Sequence, residues 1–365
     1  MEDHEYMLRA IALGEKGHIT APPNPWVGCL IVKEGKIVGE GYHVAPGQPH
    51  AEIVALKEAG ERAKGATMYV TLEPCVHHGR TPPCANSVIE AGLSRVVVGV
   101  EDPDHQVSGK GMQILRDAGI EVLVGVCANE VYDSLKPYLH QRKTGRPFCV
   151  AKSAISIDGR TAAADRSSKW ITPPEARADA HRIRAESQAI LIGTGTALTD
   201  NPKLTVREID PLPERKPLRV LLDTHGRVST FSPLFDISLA PTLIFTSSDC
   251  KTDVRKSWED AGAEVVEISK ASEGIGLDLQ EMMENLFRRG IVQLMIEGGA
   301  TLFGTFLKQG YVDQLVVYIG SCILGDKAEP LFRGMPIESM DESISMKLVN
   351  VRKLENSVRL DYVPS

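Results

Sequence analysis

The stretch Thr71-Leu72-Glu73-Pro74-Cys75-Val76-His77-His78-Gly79-Arg80-Thr81-Pro82-Pro83-Cys84, taken with His50-Ala51-Glu52 upstream, decides the first half of the chain. One imidazole, His50, and two thiols, Cys75 and Cys84, supply three protein ligands for a zinc ion and leave its fourth position to water. That is the arrangement of a catalytic rather than a structural zinc site. Zinc lowers the pKa of such a water toward neutrality. Glu52, two residues past the histidine, is badly placed to bind the same metal but reaches its water, so it is the expected proton carrier. Helix N-termini beside the ligands would steady the thiolates. Each ligand alone reads more simply as a buried core residue. The combination with Glu52 and both prolines carries the zinc reading. A structural site would need a fourth ligand, for which His43, His77 and His78 are the nearby candidates, and would leave Glu52 idle.

Outward from that stretch the chain alternates strands and helices. Residues 27–40 read as a hairpin, 50–59 as a helix stopped by Gly60, 68–72 as a strand, 84–92 as a helix, 95–100 as a strand, 111–119 as a helix and 120–124 as a strand. Strands at 148–157, 189–192, 219–222, 242–245, 293–296 and 314–319, with helices at 177–186, 277–289 and 301–309, repeat the alternation. The expected class is α/β in two layered domains, 1–146 and 147–365, since 365 residues exceed what one core usually organises. The polar run 142–147, with Lys-Thr-Gly-Arg-Pro, is the expected linker.

Composition excludes several functions. The net charge is -7, and residues 1–146 hold fifteen Lys and Arg against eighteen Asp and Glu, so neither half is a basic nucleic-acid surface. A small anionic substrate remains compatible, because a few Arg side chains and backbone N–H groups hold one phosphate whatever the overall charge. The opening Met-Glu-Asp-His-Glu-Tyr leads into no apolar segment, and no apolar run reaches membrane-spanning length, so a cytoplasmic protein without a membrane partner is expected. Seven cysteines suit a reducing compartment, with Cys29, Cys127, Cys149, Cys250 and Cys322 read as core fillers.

His-x-Glu followed by Pro-Cys-x-x-Cys is the established signature of zinc nucleobase deaminases. Here eight residues separate the cysteines instead of two. Pro23-Asn24-Pro25-Trp26-Val27-Gly28, His50-Ala51-Glu52, Thr71 to Cys75 and Gly79-Arg80-Thr81-Pro82-Pro83-Cys84 together resemble the bifunctional riboflavin biosynthesis family. In that family a diaminohydroxyphosphoribosylaminopyrimidine deaminase is joined to a 5-amino-6-(5-phosphoribosylamino)uracil reductase. The resemblance runs through essentially the whole chain. It implies a cytidine-deaminase-like N-terminal domain with one zinc ion, acting on a phosphorylated aminopyrimidine nucleotide, with catalytic Glu52 and metal ligands His50, Cys75 and Cys84. It also implies that Asn24 and His43 contact the substrate and that Arg80 supplies a cation for its phosphate. A turn residue between prolines explains Asn24 equally well, and a solvated loop charge explains Arg80. Asp102 and Asp104 fall where relatives resemble Asp-Pro-Asn, so a ribose contact and a structural turn are both open, Asp104 being the departure.

The second half carries Ile296-Glu297-Gly298-Gly299-Ala300-Thr301, a strand breaking at two glycines before a helix. Such a turn can cradle a phosphate, or simply turn the chain. Lys152-Ser153-Ala154-Ile155-Ser156-Ile157-Asp158-Gly159, Ser168-Lys169-Trp170-Ile171-Thr172, Gly193-Thr194-Gly195-Thr196 and Asp200-Asn201-Pro202 resemble the family's reductase half. That half is similar in fold to dihydrofolate reductase and implies NADPH-dependent reduction of ribose to ribitol. Ala154, Trp170, Thr196, Asp200, Thr224 and Gly299, Ala300, Thr301, Leu302, Phe303, Gly304 and Thr305 would then lie along NADPH. Lys152, Ser168, Arg184, Leu204, Arg207 and Glu297 would face the substrate. A core position for Trp170 and a helix-surface ion pair for Arg184 are the plainer alternatives. Lys152 and Glu297 are the candidates for polarising or relaying a proton. Family members often self-associate, so a homo-oligomer is compatible, with no interface legible.

Overall fold

The computed structural model describes residues 2–76, 83–104, 107–272 and 276–365, and divides into two compact units, Met1–Arg146 and Pro147–Ser365. In the first unit five strands, β1 (Gly28–Lys33), β2 (Lys36–Tyr42), β3 (Thr67–Leu72), β4 (Arg95–Val100) and β5 (Glu121–Val124), form one sheet in the order β2-β1-β3-β4-β5. β1 runs antiparallel to β2 and β3, whereas β3, β4 and β5 are parallel. Five helices cover it, α1 (Asp3–Gly14), α2 (Ala51–Ala59), α3 (Cys84–Glu90), α4 (Lys110–Asp117) and α5 (Ala128–Thr144).

Two glycines set how closely the helices approach. A Cβ on Gly28 would stand 1.9 Å from the carbonyl oxygen of Ala10 in α1, and one on Gly41 would stand 2.6 Å from that of Ala51 in α2. Gly41 pairs with Cys29, the neighbour of Gly28, and adjacent residues of a strand face opposite sides. Hence α1 and α2 press on opposite faces of the sheet. The carboxyl ends of β3 and β4 open side by side, which puts the segment holding Cys75 next to that holding Asp102 and Asp104.

In the second unit β6 (Phe148–Ile155), β7 (Arg160–Ala162), β8 (Ala189–Gly193), β9 (Leu218–Leu222), β10 (Thr242–Thr246), β11 (Glu264–Glu267), β12 (Gln293–Ile296), β13 (Gln314–Gly320), β14 (Glu329–Pro330), β15 (Met346–Leu354) and β16 (Ser357–Pro364) alternate with α6 (Pro174–Glu186), α7 (Thr194–Asp200), α8 (Thr252–Asp260), α9 (Leu279–Arg288) and α10 (Ala300–Lys308). Nine strands form a sheet in the order β11-β10-β9-β8-β12-β6-β13-β16-β15, while β7 and β14 pair separately. The sheet is parallel from β11 to β13 and antiparallel across β16 and β15. Its parallel strands are apolar on both faces, as a sheet covered on both sides requires. The two faces feed separate clusters, one around Phe245, Met282 and Phe306, the other around Ile190, Trp258 and Tyr318.

The expected linker is corrected in part. Residues 142–144 complete the last turn of α5, which Gly145 ends in a left-handed conformation, so Arg142 belongs to a helix. Cys322 is only partly buried, unlike the other four expected core cysteines. Among the described residues no helix is long and apolar enough to cross a membrane.

Candidate active sites

Local folding brings His50, Cys75 and Cys84 together. His50 is the residue that opens α2, Cys84 is the first residue of α3, and Cys75 lies in the turn after β3. The Cys84 backbone N–H at the start of α3 points at Cys75 Sγ, 3.4 Å away. His50 Nδ1 lies 3.2 Å from Cys84 Sγ and 3.5 Å from Cys75 Sγ, and the three ligand atoms all fall within 4.8 Å of one another. Tetrahedral zinc with Zn–N of about 2.0 Å and Zn–S of about 2.3 Å needs nitrogen–sulfur separations of about 3.6 Å, so the cluster fits that ion. The sulfur chemistry agrees. A hydrogen bond from Cys84 lowers Cys75 to about 4, and the same bond, with burial, raises Cys84, so the pair shares one proton that a bound cation would displace.

Glu52 is the second residue of α2, buried beside the cluster, and burial together with the Cys75 thiolate pushes its carboxyl up to about 6. His43 is engaged elsewhere. Its Nδ1–H donates to the Pro49 carbonyl at 3.1 Å and its Nε2 accepts from Asn24 Nδ2 at 3.0 Å, which removes it as a fourth metal ligand and fixes the Asn24 amide. Burial lowers the His43 pKa, in keeping with a neutral ring. His77, His78 and Arg80 lie outside the described residues.

A cleft of about 550 Å³ joins these groups. Asn24, His43, His50, Glu52 and Cys75 line it together with Asp102, Asp104, Tyr138 and Arg142. Asp102 is buried, accepts from the Tyr138 hydroxyl at 3.2 Å, and is pushed up to about 6 by burial. Glu73, next to Pro74, accepts the backbone N–H groups of Gly109 at 2.9 Å, Gly111 at 2.8 Å and Met112 at 3.2 Å, pinning the start of α4. Tyr138 and Arg142 were not recognisable as site residues in the sequence, because nothing in α5 resembles a motif.

In the second unit the sequence-derived residues divide into two groups. Arg184, from α6, reaches Glu297 just past β12: Nη2 donates to Oε2 at 2.7 Å and Nε to Oε1. Lys152 of β6 stands 4.0 Å from the same carboxylate. Burial works against charge here, yet Arg184 and Lys152 pull Glu297 down to about 2, while burial lowers Lys152. The Arg184 pair is therefore buried, not the surface pair of the plainer reading. His181 Nδ1 accepts the backbone N–H of Arg207 at 2.9 Å, tying Arg207 to this cluster.

The second group lines a cleft of about 570 Å³ at the carboxyl ends of β8, β9 and β12, where ligands of parallel sheets bind. Ser168, Thr196, Asp200, Thr224, Glu297, Gly299, Ala300, Thr301, Leu302 and Thr305 lie along it. Gly299 opens α10, so the first N–H groups of that helix are available to an anion there. At three of the expected positions the side chain is turned away from the cleft. Phe303 is packed in the core, a Cβ on Gly304 would stand 2.0 Å from the Arg333 carbonyl oxygen, and Leu204 is buried among apolar side chains, so none presents a side chain to a ligand. Ala154 and Trp170 do not line this cleft. Trp170 is 68% exposed with the Arg177 guanidinium 4.2 Å over its ring, which overturns the core alternative. Arg166, Arg227 and Arg333 line the cleft unforeseen, the signal for Arg227 being its place in the turn after β9.

Comparison with known proteins follows the same division. Residues 1–100 match the family described as the cytidine and deoxycytidylate deaminase zinc-binding region, and residues 147–360 match the RibD C-terminal domain. Fold and sites thus define a bifunctional enzyme, a cytidine-deaminase-like unit followed by a reductase unit. The riboflavin biosynthesis protein RibD of Chlamydia pneumoniae is 44% identical over 356 residues, covering 97% of this chain and 94% of that protein. The RibD of Escherichia coli is 42% identical with both chains fully covered. Among solved structures, Acinetobacter baumannii RibD superposes with a TM-score of 0.91 at 38% identity, covering 100% of this chain and 99% of that one. A diaminohydroxyphosphoribosylaminopyrimidine deaminase/5-amino-6-(5-phosphoribosylamino)uracil reductase from Thermotoga maritima gives 0.86 at 33% identity, covering 100% and 99%. The chain belongs to the RibD family, with deaminase and reductase activities in riboflavin biosynthesis.

Proposed function

We propose that residues 1–146 form a zinc-dependent deaminase and residues 147–365 an NADPH-dependent reductase acting in sequence. The first converts 2,5-diamino-6-(5-phosphoribosylamino)pyrimidin-4-one to 5-amino-6-(5-phosphoribosylamino)uracil, and the second reduces the ribose to ribitol. The observation that carries this reading is the His50, Cys75 and Cys84 cluster with buried Glu52 beside it. Zinc, when bound, supplies Lewis-acid activation of water. Glu52 would take the water's first proton on its carboxylate and pass it to the ring nitrogen, then carry the second, from the hydroxyl left on the attacked carbon, to the amine that departs as ammonia. A carboxyl tuned to about 6 can do both near neutrality. Asn24, its amide fixed by neutral His43, orients the base edge.

In the reductase, Thr196, Asp200, Thr224 and the start of α10 would hold NADPH, with Arg166, Arg227 and Arg333 suited to its phosphates. NADPH supplies the hydride. Lys152, its pKa lowered by burial, is suited to giving up a proton at the sugar oxygen, and Glu297 to holding Lys152 and Arg184 in place. Incubating the purified chain with the phosphoribosylaminopyrimidine and NADPH tests both halves. Ammonia release followed by loss of NADPH absorbance is expected. Bound zinc without ammonia would sink the deaminase reading, and ammonia without NADPH consumption would sink the reductase reading.

A further inference from the structure

Arg142 lies in the last turn of α5, and its side chain reaches the wall of the deaminase cleft. Four carboxylates line that cleft, Glu52, Glu73, Asp102 and Asp104, and among its described lining residues Arg142 is the one Lys or Arg. Glu73 is occupied by backbone N–H groups. Asp102 accepts from Tyr138 and, at 2.9 Å, from the Asp104 backbone N–H. The Arg142 guanidinium rests 5.2 Å over the Tyr138 ring, with Nε 3.7 Å from Asp104 Oδ2. That is close enough for ion-pair attraction and too far for a hydrogen bond, and Nε is buried without an acceptor. An aromatic face and a carboxylate thus hold the guanidinium in place, while Nε has no acceptor.

The electrostatics of a phosphorylated substrate give this arrangement a purpose. A phosphate dianion entering a cleft walled by Asp102 and Asp104 is repelled unless a cation stands beside them. Asp104 follows β4, the neighbour of the strand leading to Cys75, so Arg142 stands on the same cleft as the metal-ligand cluster. Guanidinium matches phosphate geometry through paired N–H donors. Resting on the aminopyrimidine nucleotide reading above, we propose that Arg142 is a specificity-determining residue of the deaminase site. It receives the phosphate-bearing arm of the substrate, and its ion pair with Asp104 keeps it poised to do so.

The test compares the deaminase on two compounds, the phosphorylated aminopyrimidine nucleotide and the same compound stripped of its phosphate. Arg142→Gln is expected to raise KM for the phosphorylated compound by on the order of 10- to 100-fold while changing its kcat, and kcat/KM for the stripped compound, by less than about threefold. Arg142→Lys, which keeps the charge but not the fork, should lose less, again only on the phosphorylated compound, and carries the comparison should Arg142→Gln not fold. Zinc content and reductase turnover on pre-deaminated substrate should match the parent enzyme. Equal losses on both compounds, or none on either, overturn the proposal. Failure of the parent enzyme to release ammonia from either compound refutes the functional reading itself, and the role of Arg142 with it.

Discussion

At the scale of single residues the proposed chemistry rests most heavily on Glu52. It is buried beside the metal-ligand cluster and is tuned upward by its surroundings. Glu52→Gln preserves shape and removes the proton carrier, so zinc content should stay at one per chain while ammonia release falls about 10²- to 10⁴-fold. Metal analysis beside a steady-state assay checks both. His181 offers a test of stability. It accepts a hydrogen bond from the Arg207 N–H, and burial and the nearby Arg184 hold its pKa down to about 3, so the folded state keeps it neutral. An unfolded histidine titrates near 6.5. Between those values the unfolded chain binds the extra proton. The stability due to neutral His181 is therefore fully present above about pH 6.5 and is lost as pH falls toward 3, at up to about 1.4 kcal/mol per pH unit. Denaturant melts of the parent and His181→Gln between pH 7 and 4 should show a shallower decline in the variant. Identical slopes would contradict a neutral, buried His181.

At the scale of elements, the close seat of α1 on β1 depends on Gly28, where a Cβ would meet the Ala10 carbonyl oxygen at 1.9 Å. Gly28→Ala must push the helix away, a cost of roughly 1–3 kcal/mol. Calorimetry should record a drop of at least about 3 °C in the melting of the N-terminal unit. Legibility in the sequence varied with how local the cause was. The His50-Ala51-Glu52 triplet and the two Pro-Cys pairs could be read directly, because metal binding demands particular atoms at particular spacings, and the Ile296 to Thr301 turn because glycines mark where a strand gives way to a helix. α5 was hidden: its tail, Gln141-Arg142-Lys143-Thr144, has a linker's composition, and only packing of Leu135 and Tyr138 against the first unit makes it a helix. Arg142 and Tyr138 were lost with it. The β15–β16 hairpin escaped because β15 is an edge strand exposed along most of its length and shows no alternation. Phe303 and Gly304 turn no side chain toward the cleft, because a resemblance assigns a whole stretch, whereas a helix turns successive side chains to different sides.

Across the whole molecule, two chemistries sit in two units whose site residues do not overlap in sequence. Arg207 is exposed, and of its hydrogen bonds the one to His181 uses its backbone, so removing its side chain should spare the fold. Arg207→Ala is expected to weaken reduction by on the order of tenfold while ammonia release continues within about twofold of the parent rate. Parallel loss of both activities would argue against separate active sites. The account as a whole stands on the metal centre, and diffraction from crystals of the purified chain, with anomalous data collected at the zinc edge, interrogates it most directly. One zinc held by His50, Cys75 and Cys84, with a solvent oxygen as fourth ligand within reach of Glu52, is the result the account predicts. A fourth protein atom closing the coordination, or zinc bound away from these three residues, would contradict it.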